Sequence, residues 1–109
     1  MKHSTHLEKR TMTVCLAGEL DEYAAEPLRR SLDVQLEQGG FDVLIFDLKG
    51  LSFMDSTGIG MLIGRYKRMH KKGVRVYLKN ACVQVEKVLR MTGIYDIMPK
   101  LTEDSCIVG

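Results

Sequence analysis

The stretch S-F-M-D-S-T-G-I-G, at positions 52–60, gathers side chains that could do chemistry. Its carboxylate, Asp55, stands next to the hydroxyls of Ser56 and Thr57, and two glycines follow. A hydroxyl can attack a substrate, a glycine-rich helix start can hold a phosphate, and a hydroxyl can accept a phosphate from another protein. The rest of the sequence helps to discriminate among these three possibilities.

Hydrolytic catalysis lacks its partners in this sequence. The nucleophile pattern G-x-S-x-G fails, because the residue two positions before Ser56 is Met54. His70 follows fourteen residues later on the same predicted helix, about 20 Å away at a rise of ~1.5 Å per residue. The other histidines, His3 and His6, lie in an N-terminus that we expect to fray. Because D-S-T-G is also one residue longer than the aspartic protease triplets, we expect no catalytic residue.

The glycine motif of a nucleotide-binding site is only partly present in the sequence. Gly58, Gly60 and Gly64 resemble G-x-G-x-x-G, but the third glycine comes one residue late. The next strand ends in Y-L-K-N, which offers no carboxylate for a ribose, and no G-K-[ST] occurs. The sequence therefore favours close packing of helix on sheet as the reason for Gly64.

The possible metal ligands are too few. His3 and His6 form a two-ligand pattern, whereas structural zinc takes four ligands. Cys15 and Cys82 are interpreted as small buried residues. We therefore expect no metal and no cofactor.

Composition indicates one ordinary globular domain. The chain has 109 residues, of which 45% are hydrophobic and 28% charged, with a net charge of +2. That charge gives no reason to expect direct nucleic-acid binding. Three widely spaced cysteines without C-x-x-C favour a reducing compartment. Neither a signal peptide nor an apolar run of ~20 residues is present, so we expect a cytoplasmic protein without a membrane partner. The basic cluster at 65–75 and the acidic cluster at 19–26 are interpreted as solvated helix faces.

Hydrophobic periodicity predicts an α/β domain with at least part of its sheet parallel, and we assign residues 1–109 to this single domain. Residues 1–9 are a first strand or a flexible end, and the pattern determines little from Ile94 to Gly109. The predicted order is a strand ending at Gly18, a helix from about Tyr23–Glu26 to Gly39–Gly40, the strand F-D-V-L-I-F-D-L, a helix from Ser56 or Asp55 to Gly73, the strand V-R-V-Y-L, and a helix from Asn80 to Gly93.

The third possibility, a modified serine, suits this placement. The N-terminus of a helix favours negative charge by ~0.3–1 kcal/mol, so the fold would tolerate a phosphate on Ser56. A partner packed on a bare surface at Gly58, Ile59 and Gly60 would meet about −1.5 to −2 of new charge. A 100-fold loss of affinity needs only ~2.7 kcal/mol. A serine that merely caps the helix explains the residue equally well, so the pattern leaves both interpretations open.

Three segments of the sequence carry a family resemblance. G-E-L-D at 18–21, L-S-F-M-D-S-T-G-I-G-M-L-I-G-R-Y-K at 51–67 and M-T-G-I at 91–94 resemble the bacterial anti-sigma factor antagonists, which are STAS domains, and in particular the sporulation type. The resemblance covers roughly residues 10 to 100. It implies a four- to five-stranded mixed sheet with helices mainly on one face, and it brings the G-E-L-D loop and the start of the second helix together.

The resemblance also implies a function that involves no catalysis by this chain. The unphosphorylated form would bind an anti-sigma factor that is also a serine kinase, and so release a sigma factor. The kinase would phosphorylate Ser56 and end the complex, and a serine phosphatase would restore it. Asp55 would orient the Ser56 hydroxyl or meet a basic partner residue, and the protein would be a monomer. The expected partner-binding residues are Asp21, Asp55, Thr57, Gly58, Ile59 and Gly60.

The sequence departs from the family pattern at three points. Glu22 and Tyr23 stand where sporulation members usually have two histidines, and Thr57 replaces a common serine and so adds a competing hydroxyl. The C-terminus T-E-D-S-C-I-V-G is shorter than the family's last helix. The alternative function is a non-switching STAS scaffold or transporter-associated module, followed by a nucleotide-binding protein. The sporulation and general-stress pathways both stay open.

Overall fold

An antiparallel hairpin and a strand–helix alternation make up the computed structural model, which describes residues 1–102. The hairpin forms the first edge of the sheet, and the helices connect the parallel strands that follow. Within the described residues the elements are β1 (Lys2–Glu8), β2 (Thr11–Leu20), α1 (Glu22–Glu37), β3 (Val43–Met54), α2 (Ser56–Lys71), β4 (Arg75–Lys79), α3 (Val83–Thr92), a 3₁₀ turn (Ile94–Asp96) and β5 (Lys100–Leu101).

The five strands of this part of the chain lie in the order β1-β2-β3-β4-β5. β1 and β2 are antiparallel, and the other neighbours are parallel. The predicted α/β class and the mixed sheet implied by the family resemblance are therefore confirmed. Of the two options for residues 1–9, the structure has the strand, and His3 and His6 lie within it rather than in a frayed end.

The core lies between the helices and one face of the sheet. Alternate side chains of the central strands, such as Val14, Phe46 and Leu78, pack with Leu32 of α1 and Leu62 of α2. Period-two alternation turns the intervening side chains to the other face. The core residues on the described elements include Met12, Leu16, Leu20, Ala25, Leu28, Leu36, Leu44, Leu48, Leu51, Met54, Val76, Val85 and Leu89.

The basic cluster is not the fully solvated face that its composition suggested. Arg65 is only 5% exposed, and its Nε lies 2.9 Å from a carboxylate oxygen of Asp33 on α1. Burial lowers the pKa of Arg65 below its ordinary value, and the Asp33 charge opposes that shift. Arg68 also reaches Asp33, and both Arg68 and Lys72 reach Glu37. The prediction was wrong for Arg65, which is buried beside Asp33 of α1, whereas Arg68 and Lys72 are exposed as predicted although they form ion pairs with α1.

Two other local predictions were wrong. Asn80 does not cap α3: it adopts a φ of +64°, and its amide donates to Asp47 at 3.2 Å. Cys82 precedes the helix instead and makes no capping hydrogen bond through its side chain. Cys15 is exposed rather than buried, because it lies on the sheet face opposite the core, and Cys82 is partly exposed. The prediction for the C-terminal residues 103–109 lies outside the described residues.

Candidate functional site

The starts of α1 and α2 lie side by side at one edge of the sheet. β2 and β3 are parallel neighbours, and Leu20 at the end of one pairs with Met54 at the end of the other. The Asp55 N–H donates to the Leu20 carbonyl at 3.3 Å, which ties the two exits together. Asp21 and Asp55 follow these strand ends directly, so the sheet brings both carboxylates to the same surface.

Both helices begin with the same cap. Oδ1 of Asp21 accepts hydrogen bonds from the N–H groups of Tyr23 at 3.1 Å and Ala24 at 2.9 Å. Oδ1 of Asp55 accepts from Thr57 at 2.9 Å and Gly58 at 3.1 Å. Each aspartate thereby satisfies two N–H groups that a helix start would otherwise leave unpaired.

The capping geometry decides the question that the sequence left open at Ser56. Asp55 is the N-cap, and Ser56 is the first residue of α2. Its side chain is exposed, and no hydrogen bond to it is found among residues 1–102. The interpretation of Ser56 as the cap of this helix is therefore wrong. Its hydroxyl stands at the positive end of the helix dipole without a structural task.

Gly58 is the glycine that close packing requires, rather than Gly64. A Cβ on Gly58 would lie 2.8 Å from Cγ of Leu20 and 2.9 Å from Cγ of Met54. The same Cβ would lie 2.9 Å from the Leu20 carbonyl oxygen. A Cβ on Gly64 or Gly60 would meet nothing within 4 Å, so the packing role predicted for Gly64 was wrong. Gly58 lets α2 start directly against the end of β2.

The expected partner surface divides into exposed and buried members. Ser56, Thr57 and Gly60 are exposed, and Asp55 is partly exposed. The Ile59 side chain is 5% exposed and belongs to the core. Only part of the Gly58-Ile59-Gly60 stretch is therefore the bare surface that the sequence suggested.

Two exposed aromatic side chains lie within two residues of the capping aspartates and were not proposed as site residues from the sequence. Tyr23, two residues after the α1 cap, is 81% exposed, and Phe53, two residues before Asp55, is 46% exposed. Phe53 pairs across the sheet with Glu19, which is also exposed. The alternation along the end of β3, where Met54 is buried, carried a signal for the outward direction of Phe53.

No metal-ligand cluster occurs among the residues that the structure describes: no three or more His, Cys, Asp or Glu side chains are grouped to hold a metal ion. Within the same residues, no helix is long and apolar enough to cross a bilayer.

Comparison with known protein families gives a match between the STAS domain family and residues 4–105 of this chain. The chain belongs to the STAS family. It is 34% identical over 99 residues to the anti-sigma F factor antagonist of Lysinibacillus sphaericus, covering 91% of this chain and 85% of the relative. It is 40% identical over 85 residues to the anti-sigma-B factor antagonist of Bacillus subtilis (strain 168), covering 78% of this chain and 76% of the relative.

A solved STAS structure has the same fold. The unphosphorylated anti-sigma factor antagonist SpoIIAA superposes with a TM-score of 0.78 at 31% identity, covering 94% of this chain and 90% of that one. The Bacillus cell fate determinant SpoIIAA in its phosphorylated form gives a TM-score of 0.70 at 30% identity, covering 94% of both chains. The resemblance to anti-sigma factor antagonists that the motifs indicated is thus confirmed.

Proposed function

We propose that this protein is an anti-sigma factor antagonist that phosphorylation of Ser56 switches off. The unphosphorylated form binds an anti-sigma factor that is also a serine kinase, and a sigma factor is released. Phosphate transfer to Ser56 ends the complex, and a serine phosphatase restores the binding form. The observation that carries the proposal is the exposed Ser56 hydroxyl at the first residue of α2, beside the Asp21 cap, in a STAS chain.

The helix start makes the switch compatible with the fold. Because Asp55 is the cap, a phosphate on Ser56 replaces no hydrogen bond of the folded chain. The dipole of α2 favours the added negative charge by ~0.3–1 kcal/mol. A docked partner would have to accommodate about −1.5 to −2 of charge close to Asp21 and Asp55. The modification is therefore mild for the folded protein and severe for the complex.

The two capping carboxylates favour a partner with basic side chains. In each aspartate one oxygen accepts both backbone hydrogen bonds, and within residues 1–102 the other oxygen accepts none. A guanidinium or ammonium group of the kinase can use these free oxygens. Asp55 therefore serves as cap and as a contact for a basic residue, in preference to orienting the Ser56 hydroxyl.

The partner surface follows from exposure. Ser56, Thr57 and Gly60 contact the kinase directly, while Gly58 and Ile59 support that surface from within. The exposed rings of Tyr23 and Phe53, each two residues from a capping aspartate, add apolar area to this partner surface. The kinase supplies the catalytic base and magnesium, so this cytoplasmic protein needs neither a catalytic residue nor a cofactor of its own.

Phosphate mapping tests the assignment of Ser56. The protein is incubated with Mg²⁺-ATP and a panel of anti-sigma serine kinases of the sporulation and general-stress types, followed by intact mass and site mapping. We expect one phosphate on Ser56, its loss in Ser56→Ala, and its retention in the matched control Thr57→Ala. The kinase that reacts also identifies the pathway, which sequence identity does not, since the chain is 34% identical to an anti-sigma F factor antagonist and 40% identical to an anti-sigma-B factor antagonist.

Either of two results would contradict the proposal. One is a phosphate on Thr57 alone. The other is no phosphate from kinases that modify their own antagonists under the same conditions, together with a stable complex with a scaffold or transporter, which would favour the non-switching STAS module.

A further inference from the structure

β1 forms a long free edge of the sheet. It has seven residues, and within residues 1–102 only β2 pairs with it. In an antiparallel pair, alternate residues point their N–H and C=O groups away from the partner, so β1 presents unpaired groups on its outer side. The opposite edge differs, because β5 has only two residues. A long free edge is a template for another strand.

One face of α1 adds apolar surface beside this edge. Tyr23, Pro27, Ser31 and Val34 follow one another at steps of four, four and three, which places them on one side of the helix. Ser31 Oγ lies 3.1 Å from His3 Nε2, so this side of α1 lies next to β1. The Tyr23 and Val34 side chains are 81% and 67% exposed. This side of α1 is thus exposed next to β1, at the place where a strand from a second copy would extend the sheet.

The ends of β1 are apolar on the same face. Leu7 pairs with the buried Met12, which places its side chain on the face of the sheet that bears the helices, yet Leu7 is 48% exposed. Met1 is 44% exposed and lines a cavity of about 710 Å³ together with His3 and Tyr23. Exposed apolar side chains therefore lie at both ends of the free edge.

The sequence of β1 is complementary to itself. In an antiparallel pair centred on Thr5, K-H-S-T-H-L-E places Lys2 of each copy opposite Glu8 of the other. Moving the register by two residues would instead oppose Lys2 to His6. In the Thr5-centred register, even-numbered residues pair with even-numbered residues and odd-numbered with odd-numbered. The residues whose N–H and C=O groups point away from β2 in one copy therefore face the corresponding residues of the other copy. This register uses all seven residues and opposes unlike charges at both ends.

We propose that two copies of this chain associate through β1, antiparallel about a two-fold axis at Thr5, to form one continuous sheet. The two α1 helices then lie on the same face with their stripes of Tyr23 and Val34 toward the axis. The proposal departs from the monomer expected from the sequence, because that expectation did not consider the free edge. It rests on no part of the phosphorylation proposal, since residues 55–60 take no part in the pairing.

Charge reversal tests the register by sedimentation equilibrium over a range of concentrations. We expect the wild-type mass to rise from 12.3 kDa toward twice that value. Lys2→Glu and Glu8→Lys should each weaken association about tenfold, because each turns two opposite-charge pairs into like-charge pairs. The double variant Lys2→Glu/Glu8→Lys should restore it. Lys67→Glu, on the exposed side of α2, is the matched control and should leave it unchanged.

A wild-type mass of 12.3 kDa at every concentration overturns the proposal. So does a double variant that stays as weak as the single ones. Amide hydrogen exchange of the unmodified protein gives a second measurement that needs no variant. Alternate amides of β1 should gain protection as the concentration rises, and unchanged protection along β1 contradicts the dimer.

Discussion

The two halves of α2 carry opposite kinds of surface. At its N-terminal end, Ser56 exposes a hydroxyl that makes no hydrogen bond among the described residues. In its second half, the basic side chains Arg65 and Arg68 are engaged by Asp33 and Glu37 of α1. The charged second half forms ion pairs that hold α2 against α1. The N-terminal half has few charges, and a charge added there would break no ion pair.

The difference indicates where an added charge would disturb the folded chain least. An ion-paired side chain cannot meet a partner without giving up a contact of the folded chain. A phosphate on Ser56 would meet no such contact, because Asp55 already caps the helix. In keeping with the proposed function, the N-terminal half of α2 is called here its regulatory half, and the second half its structural half.

Removing the carboxylate under Arg65 should have the largest effect on stability. Asp33→Ala leaves a buried guanidinium without its closest anion, and loss of one partner of a buried pair costs about 3–5 kcal/mol. Urea unfolding measures the change. Glu37→Ala, whose ion pairs are exposed and screened by solvent, is the control and should lose much less stability. Equal losses of unfolding free energy in the two variants would show that the burial of Arg65 does not make its ion pair more important for stability.

Ser56→Asp should damage binding without damaging the fold. We expect affinity for the anti-sigma kinase to fall by about 100-fold, or ~2.7 kcal/mol, as an added charge enters the interface. Calorimetric titration measures the affinity, and urea unfolding should give a stability within about 0.5 kcal/mol of wild type. Unchanged affinity would argue against charge as the release signal.

Gly58→Ala should lower both stability and kinase binding, because Gly58 lies in the regulatory half of α2 and is also buried against core residues. Its Cβ would overlap Leu20 and Met54, and overpacking costs about 1–3 kcal/mol. The displaced start of α2 should also weaken kinase binding. Gly60→Ala, where a Cβ meets nothing, is the control for stability. If both variants have the same stability as wild type, the close approach of α2 to β2 is not a constraint.

Alanine variants should separate the capping role of Asp55 from the proposed phosphate-accepting role of Ser56. Asp55→Ala removes two hydrogen bonds to helix N–H groups and should lose about 1 kcal/mol of stability. Ser56→Ala removes none and should stay within about 0.5 kcal/mol, while binding the kinase persistently in the presence of ATP. A larger stability loss in Ser56→Ala than in Asp55→Ala would reverse the two roles.

Acid should loosen the structural half of α2. Hydrogen bonds from Arg68 and Lys72 hold the pKa of Glu37 below its ordinary value. A carboxyl with a lowered folded pKa contributes stability above its unfolded pKa and loses it as pH falls through the folded one. Unfolding free energies of wild type and Glu37→Gln should therefore converge toward acid pH, by a small amount since the pair is exposed. A constant difference at all pH values would contradict this.

Local patterns predicted much of the fold, and long-range contacts account for the errors. The apolar stripe after Asp55 located α2 to within two residues, whereas the predicted strand F-D-V-L-I-F-D-L ends at Leu48 and β3 continues to Met54. Arg65 was misassigned because its partner, Asp33, lies 32 positions away on another helix. Gly64 was preferred over Gly58 for the same reason, since the contact with Leu20 is not visible in the spacing of glycines.

Local sequence patterns were enough to predict the order of the elements from β2 to α3 and a hydroxyl at a helix start, because periodicity and helix starts are properties of neighbouring residues. The folded chain was needed to show that Asp55 rather than Ser56 caps α2, and that Asp21 follows the neighbouring strand end. Parallel strands end at the same edge whatever lies between them in the chain. That pairing, together with the close approach at Gly58, turns two distant aspartates and one serine into a single surface.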